Sequence, residues 1–244
     1  RMGESRIDLL RRNADIFEGI VHRVVGAGFS GIFLIASNPV DIMTQLTQEI
    51  SGFPAPRVIG TGTTLDTARL RYLLGDYFGI DPHNVHAYVM GEHGDTEFVP
   101  WSQAMIATKP VLHVCDDNPT RFHYEDLLRL EGEVRDAAHA IIAAKKATYY
   151  GIGMAMVRIT RALFGDENSV LTVSAMMDGE YGQRNVYAGS PCILCRNGVK
   201  NKVRLSLNDH ELRSFHDSCA FLSDTYHALG YSTKKAAQPL GGRI

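Results

Sequence analysis

The fold class this sequence predicts is α/β: helices alternating with parallel strands, followed by a portion in which helices and strands mix more freely. Three observations carry that reading. Residues 8–25 place apolar side chains at helical spacing; Ile32 to Ala36 form a continuous apolar run; and helix and short strand alternate, with brief links, as far as Gly60.

In the first helix Leu9, Ile16, Ile20 and Val24 recur with charges between them, and Gly26-Ala27-Gly28 ends it. The run from Ile32 to Ala36 has the unbroken apolarity of a buried parallel strand, closed by Asn38-Pro39. Asp41 stands where a cap would open a second helix, which Ser51-Gly52-Phe53-Pro54 breaks. A short strand at Arg57-Val58-Ile59 leads into Gly60-Thr61-Gly62-Thr63-Thr64, and Leu65 to Phe78 reads as a third helix. Asn84 to Met90 alternates as a strand does, with Val85, Ala87 and Val89 on one face. Pro110 to Thr120 is expected to be irregular. Tyr124 to Phe164 is helical with an interruption after Lys145-Lys146, and Gly151 and Gly153 within it suggest a close backbone approach. Ser169–Met177, Ser190–Cys195 and Lys202–Leu207 are expected strands, and Asp209 opens a last helix ending near Gly230.

The 244 residues are 45% hydrophobic with a formal net charge of −2, which suits a globular protein with a sizeable core. A pI near 6.6 gives no electrostatic ground for nucleic acid as a partner. No apolar run approaches the roughly 20 residues of a membrane span, and no signal-peptide pattern opens the chain. Four cysteines without a disulfide framework fit a reducing cytoplasm; Cys192 and Cys195 form a lone C-x-x-C, read as two buried thiols, and no metal is assigned.

Gly26, Gly28 and Gly31 spell G-x-G-x-x-G. That fingerprint cradles a pyrophosphate only when a strand precedes it and a helix follows. Here the order is reversed, so no phosphate-binding role is assigned to it.

Chemistry concentrates around His93, set between two glycines at a strand end in Gly-Glu-His-Gly-Asp. Asp66 and Arg69 lie three apart and share a helix face. They could be an ordinary surface ion pair. Alternatively a carboxylate on Nδ1 of His93 would fix its tautomer, while a guanidinium nearby would grip a substrate carboxylate with two prongs.

The segments GESRIDLLRRN, SNPVDI, GTGTTLDTARLR, GEHGDTEFVPWS and KKATYYGIG, taken together, resemble the L-lactate dehydrogenases, and the bacterial allosteric type most closely, from Gly3 to about Leu229. The resemblance implies the C-terminal half of a Rossmann-type parallel sheet over residues 1–60 and an α+β catalytic domain over 61–244. It implies reduction of pyruvate to L-lactate with NADH. His93 would be the proton donor, Asp66 its orienting acid and Arg69 the clamp on the pyruvate carboxylate. Arg6, on the family's mobile loop, would polarise the carbonyl. Asn38 would serve substrate and nicotinamide, Thr148 would line the substrate pocket, and Ile152 and Thr61 would flank the nicotinamide. Arg71 and His86 would bind fructose 1,6-bisphosphate between subunits of a homotetramer.

The same resemblance leaves the family's N-terminal half-domain, with its pyrophosphate loop, unmatched in these residues. The 244-residue chain alone is therefore expected to be inactive. The resemblance also begins just after the position that separates lactate from malate specificity. Glu4 and Thr148 favour lactate; malate dehydrogenase and a non-catalytic fragment are the alternatives.

Overall fold

A computed structural model describes residues 6–230, with side chains from residue 10 onward. The amino-terminal helix α1 (Arg6–Gly26) leads to β1 (Phe33–Ile35), α2 (Val40–Ser51) and β2 (Val58–Gly60). β1 and β2 pair in parallel, Ile35 opposite Gly60. α3 (Thr64–Phe78) follows, and Gly79 ends it at φ 70°, a left-handed conformation that costs glycine little.

The chain then forms a small three-stranded sheet from β3 (Val85–His86), β4 (Met105–Ile106) and β5 (Lys109–Pro110), followed by helices α4 (Val111–Asp117), α5 (Tyr124–Lys145) and α6 (Tyr150–Phe164). A meander of β6 (Ser169–Asp178), β7 (Arg184–Cys195) and β8 (Gly198–Lys202) precedes α7 (Asp209–Ala228). β6 pairs with β2 at Gly60↔Ser174, so one five-stranded sheet, ordered β1-β2-β6-β7-β8, runs through the chain. α7 opens with a reciprocal cap: Asn208 Oδ1 accepts the Glu211 N–H at 2.9 Å, and Glu211 Oε2 accepts the Asn208 N–H at 2.9 Å.

Three apolar cores hold these layers. One joins α1, α2 and α7 through Leu10, Ala14, Met43, Leu46, Phe215 and Tyr226. A second lies between α3, the 85–104 segment and α5, around Leu70, Leu74, Val89, Trp101 and Leu127. The third packs Ile159 and Ala162 of α6 on Ile59, Val173 and Leu194 of the sheet. No described helix is long and apolar enough to cross a membrane.

Several elements depart from expectation. α1 buries Leu10, Ala14 and Val21 and leaves Ile16 and Ile20 about half exposed, so its packed face is not the one read from Leu9, Ile16, Ile20 and Val24. Pro110–Thr120 is not wholly irregular, since α4 occupies residues 111–117. The last strand is β8 and stops at Lys202. Beyond it the Leu205 N–H bonds the Tyr181 hydroxyl at 2.7 Å rather than a neighbouring strand. Asn84–Met90 is formally a strand only at Val85–His86, although Val85, Ala87 and Val89 share one buried face as expected. Cys192 is buried but Cys195 is only half-buried, and both thiols are free.

Candidate active site

The site is built where α3 and the 85–93 segment meet the sheet. Gly62 turns the chain from β2 into α3 at φ +51°, and a Cβ there would stand 2.3 Å from the Ser174 backbone nitrogen. Only glycine lets the turn lie this close to β6. A set of buried threonines then fixes α3 on both sides. Thr63 donates to the Val89 carbonyl at 2.7 Å, Thr64 donates to the Thr172 carbonyl at 2.9 Å, and Thr67 accepts the Val89 N–H at 2.9 Å. Asp66, in the first turn of α3, is thereby aimed at the segment carrying His93.

Gly91 exchanges two backbone hydrogen bonds with Gly189 of β7, at 2.9 and 2.7 Å, and turns at φ +93° into the histidine loop. The backbone N–H of His93 donates to Asp41 Oδ2 at 2.9 Å, and Asp41 Oδ1 accepts the Ser174 hydroxyl at 2.5 Å. Asp41 is thus not a helix cap. Pro39 holds that position without a side-chain hydrogen bond, and the Asp41 carboxylate ties the histidine loop to α2 and β6.

With its backbone fixed, the His93 ring places Nδ1 2.6 Å from Oδ2 of Asp66. The other oxygen, Oδ1, accepts from Arg69 Nη1 at 3.2 Å. Asp66 is only 2% exposed, against 25% for the His93 side chain and 17% for Arg69, so a buried carboxylate orients two partly accessible groups. Arg69 is an ion-pair partner of Asp66, and its guanidinium carries further N–H donors besides the one Asp66 takes.

Burial alone would push the His93 pKa down, but the hydrogen bond and charge of Asp66, with Asp41 and Glu97 behind it, override this and raise it to about 9. The ring is therefore proton-loaded at neutral pH. Asp41 itself is pushed up to about 6 by burial, against the pull of the Ser174 hydroxyl and the His93 N–H. Oxygen or nitrogen atoms of Asp66, His93 and Glu97 lie within 4.8 Å of one another. A metal between Asp66 and His93 would hold both atoms at about 2.0–2.2 Å from itself, too far apart for the hydrogen bond they make.

The remaining predicted residues are distributed as follows. Asn38 and Thr61 lie just beyond the carboxyl ends of β1 and β2, the crevice where such sheets take ligands; Asn38 is exposed, and Thr61 is buried with its N–H on the Ile35 carbonyl. Thr148 is half-buried in the bend between α5 and α6, and Ile152 is half-buried in the first turn of α6. A Cβ on Gly151 would meet the Leu65 side chain at 3.2 Å, so α6 approaches α3 closely there, whereas Gly153 faces open space. Arg71 donates from Nε to the Ala87 carbonyl at 3.0 Å and lies over the Tyr88 ring, which brings it beside exposed His86 on β3. Arg6 opens α1, but its side chain lies outside the described residues.

Asn38 and Thr61 offer polar groups where a nicotinamide carboxamide would need them, so this part of the chain fits that end of NAD. Gly26 ends α1, and Ala27 and Gly28 lead on toward β1, so a helix precedes these glycines and a strand follows them, the reverse of a pyrophosphate loop. Sequence reasoning did not single out Glu97, and it misplaced Asp41. Both are buried acids near a histidine, a signal visible only once the segments are brought together.

Comparison with known proteins gives a consistent set of relatives. Residues 1–60 match the family model for the lactate/malate dehydrogenase NAD binding domain, and residues 63–228 that for the lactate/malate dehydrogenase alpha/beta C-terminal domain. The chain is 52% identical over 222 residues to an L-lactate dehydrogenase of Geobacillus sp. (strain WCH70), covering 91% of this chain and 69% of the relative. It is 51% identical over 223 residues to L-lactate dehydrogenase 1 of Bacillus cereus (strain ATCC 10987 / NRS 248), covering 91% of this chain and 71% of that protein. A solved lactate dehydrogenase from a Medee basin deep-sea metagenome library superposes with a TM-score of 0.92 at 47% identity, over 95% of this chain and 74% of the other. The minor L-lactate dehydrogenase of Enterococcus mundtii, in its ligands-bound form, does so with a TM-score of 0.90 at 44% identity, over 93% and 72%.

Proposed function

The chain belongs to the lactate/malate dehydrogenase family, and from that premise we propose that it is an NAD-dependent L-lactate dehydrogenase in which His93 is the proton donor. The observation that carries this reading is the 2.6 Å contact between His93 Nδ1 and Asp66, with Arg69 on the second carboxylate oxygen. Asp66 holds the ring by Nδ1, so Nε2 carries the proton toward substrate, and no described residue bonds it.

In the forward direction Arg69 holds the pyruvate carboxylate, and His93 gives its Nε2 proton to the ketone oxygen. NAD, when bound, supplies the hydride in its reduced form and accepts it in the reverse reaction. Asn38, Thr61 and Ile152 would hold its nicotinamide end. Thr148 lines the substrate pocket, and Arg6 stabilises the charge developing on the oxygen. Asp66 compensates the imidazolium before transfer, and its buried carboxylate keeps the ring in one tautomer afterwards.

The reading extends to domains, assembly and control. Residues 1–60 form the nicotinamide-side portion of a cofactor domain, and 61–244 the catalytic domain. The exposed apolar residues Tyr150, Met154, Val157 and Phe164 of α6 support assembly into a tetramer of this cytoplasmic enzyme of fermentative glycolysis. Arg71, bonded to the carbonyl of Ala87, and exposed His86, the chain neighbour of Ala87, offer hydrogen-bond donors near a surface, which supports activation by fructose 1,6-bisphosphate. Among the described residues no strand–glycine loop–helix is present for the pyrophosphate, so no turnover is expected from the 244 residues alone.

The test uses a subunit extended at its amino terminus with the corresponding segment of the Geobacillus relative. We expect NADH oxidation with pyruvate far above that with oxaloacetate, and a lower half-saturating pyruvate concentration when fructose 1,6-bisphosphate is added. A preference for oxaloacetate would move the assignment to malate. An unchanged pyruvate curve would remove the effector.

A further inference from the structure

Glu97 is a buried acid for which the reaction just described has no use. It is 5% exposed, and its carboxylate receives no hydrogen bond from any described residue. Withdrawing a carboxyl group so far from water makes it costly to ionise, so the position calls for a reason.

Its placement is fixed through the backbone. The Glu97 N–H closes a turn on the Gly94 carbonyl at 3.3 Å, and Arg135 of α5 donates to the Glu97 carbonyl at 3.1 Å. Next to it, Glu131 of α5 collects the Val99 N–H at 3.2 Å and the Trp101 indole N–H at 2.8 Å. α5 therefore clamps the strand of chain leaving the histidine loop. The clamp brings a Glu97 oxygen within 4.8 Å of both the Asp66 carboxylate and the His93 ring. Of the other acids of this loop, Glu92 is engaged elsewhere, accepting the Thr96 hydroxyl at 2.6 Å, and Asp95 is exposed.

We propose that Glu97 is a positioning residue of the proton donor: a third acid, coupled by charge to Asp66 and His93, that keeps the imidazole proton-loaded to higher pH without touching substrate. This rests on the dehydrogenase reading for its purpose but not for its physics. The groups facing it are Asp66 and Arg69 from α3, His93 from the loop, and Arg135 with its partner Glu131 from α5. Asp41 from α2 acts on His93 as well, through the His93 N–H and by charge. Asp66 repels a second negative charge, whereas His93, Arg135 and Arg69 favour it. Burial, followed by the charge of Asp66, pushes the Glu97 pKa up to about 9, in the same range as His93. Loss of a proton from Glu97 thus strengthens the hold of His93 on its own, so the two titrate as a linked pair.

The experiment is an NMR titration of the His93 ring in the 244-residue chain, its resonance identified by its loss in His93→Asn. In Glu97→Gln the midpoint should fall by on the order of one pH unit. Glu97→Asp, which keeps the charge, should restore most of it. A midpoint unchanged or raised in Glu97→Gln overturns the proposal. Should that variant fold poorly, the Glu97 side-chain carbon in the unaltered chain gives the answer. It should titrate together with His93 at alkaline pH, and a midpoint below 6 overturns the assignment. Neither readout requires turnover, so failure of the lactate reading in the extended subunit is distinguishable from failure here.

Discussion

Nδ1 of His93 lies 2.6 Å from Oδ2 of Asp66, while that oxygen's twin, Oδ1, accepts from Arg69 at 3.2 Å. One buried carboxylate thereby sets the direction of both His93 and Arg69, the groups proposed as proton donor and substrate clamp. The two functions share a support, so disturbing Asp66 disturbs both. The arrangement also explains why a histidine that is a quarter exposed carries its proton well above neutrality.

Arg69→Lys should raise the half-saturating pyruvate concentration strongly. An ammonium can keep the charge but not the planar fork, and it cannot serve Asp66 and a substrate carboxylate at once. A loss of about 2 kcal/mol, roughly 30-fold in kcat/KM, is expected for pyruvate reduction by the extended subunit. Steady-state rates across pyruvate concentration check it, and a change under twofold would contradict the clamp.

Stability should fall as pH rises from about 4.5 to about 9. Above about 4.5 folded Glu97, and above about 6.5 folded His93 as well, hold protons that the unfolded chain has already released, because both folded pKa values are raised to about 9. The folded state then binds more protons than the unfolded one, and unfolding becomes easier with each added unit of pH. The loss is of the order of a few kcal/mol. Glu97→Gln removes one of the two contributions, so its denaturation midpoint should exceed that of the parent at pH 9 and converge on it only near pH 4. Urea melts at both values decide the matter.

Gly62→Ala should destabilise by roughly 2–4 kcal/mol, from a strained left-handed backbone together with a clash against β6. Its Cβ would meet the Ser174 nitrogen at 2.3 Å, and backbone cannot step aside as a flexible side chain could. Because the same turn starts α3, residual activity should fall as Asp66 shifts. Thermal melts comparing Gly62→Ala with Gly153→Ala, which meets open space, isolate the effect.

The grouping of His93 with Asp66 and Arg69, the residues proposed to react, was legible in the sequence because its signals are local. A histidine between glycines at a strand end, and an acid and arginine one helical turn apart, are visible without coordinates. What escaped depended on packing. The apolar residues of α1 offer two faces, and only contact with α2 and α7 selects Leu10, Ala14 and Val21 over Ile16 and Ile20. Val203, Leu205 and Leu207 alternate as a strand would, yet after the Val203 N–H bonds the Pro191 carbonyl of β7 the Leu205 N–H is taken by a tyrosine hydroxyl, so the ladder goes no further. Asp41 has the residue type and position of a helix opener, but Ser174, 133 residues away, and His93 claim its oxygens. Glu97 gains its meaning only from neighbours on α3 and α5.

The central claim is that His93, braced by Asp66, delivers the proton to pyruvate. The most direct measurement is the rate of NADH oxidation at saturating pyruvate by His93→Asn in the extended subunit, with folding verified by circular dichroism. Asparagine retains a hydrogen-bond donor but cannot release a proton, so a loss of about 10²–10⁴-fold is expected. A folded variant that keeps more than a tenth of the parent rate would contradict it.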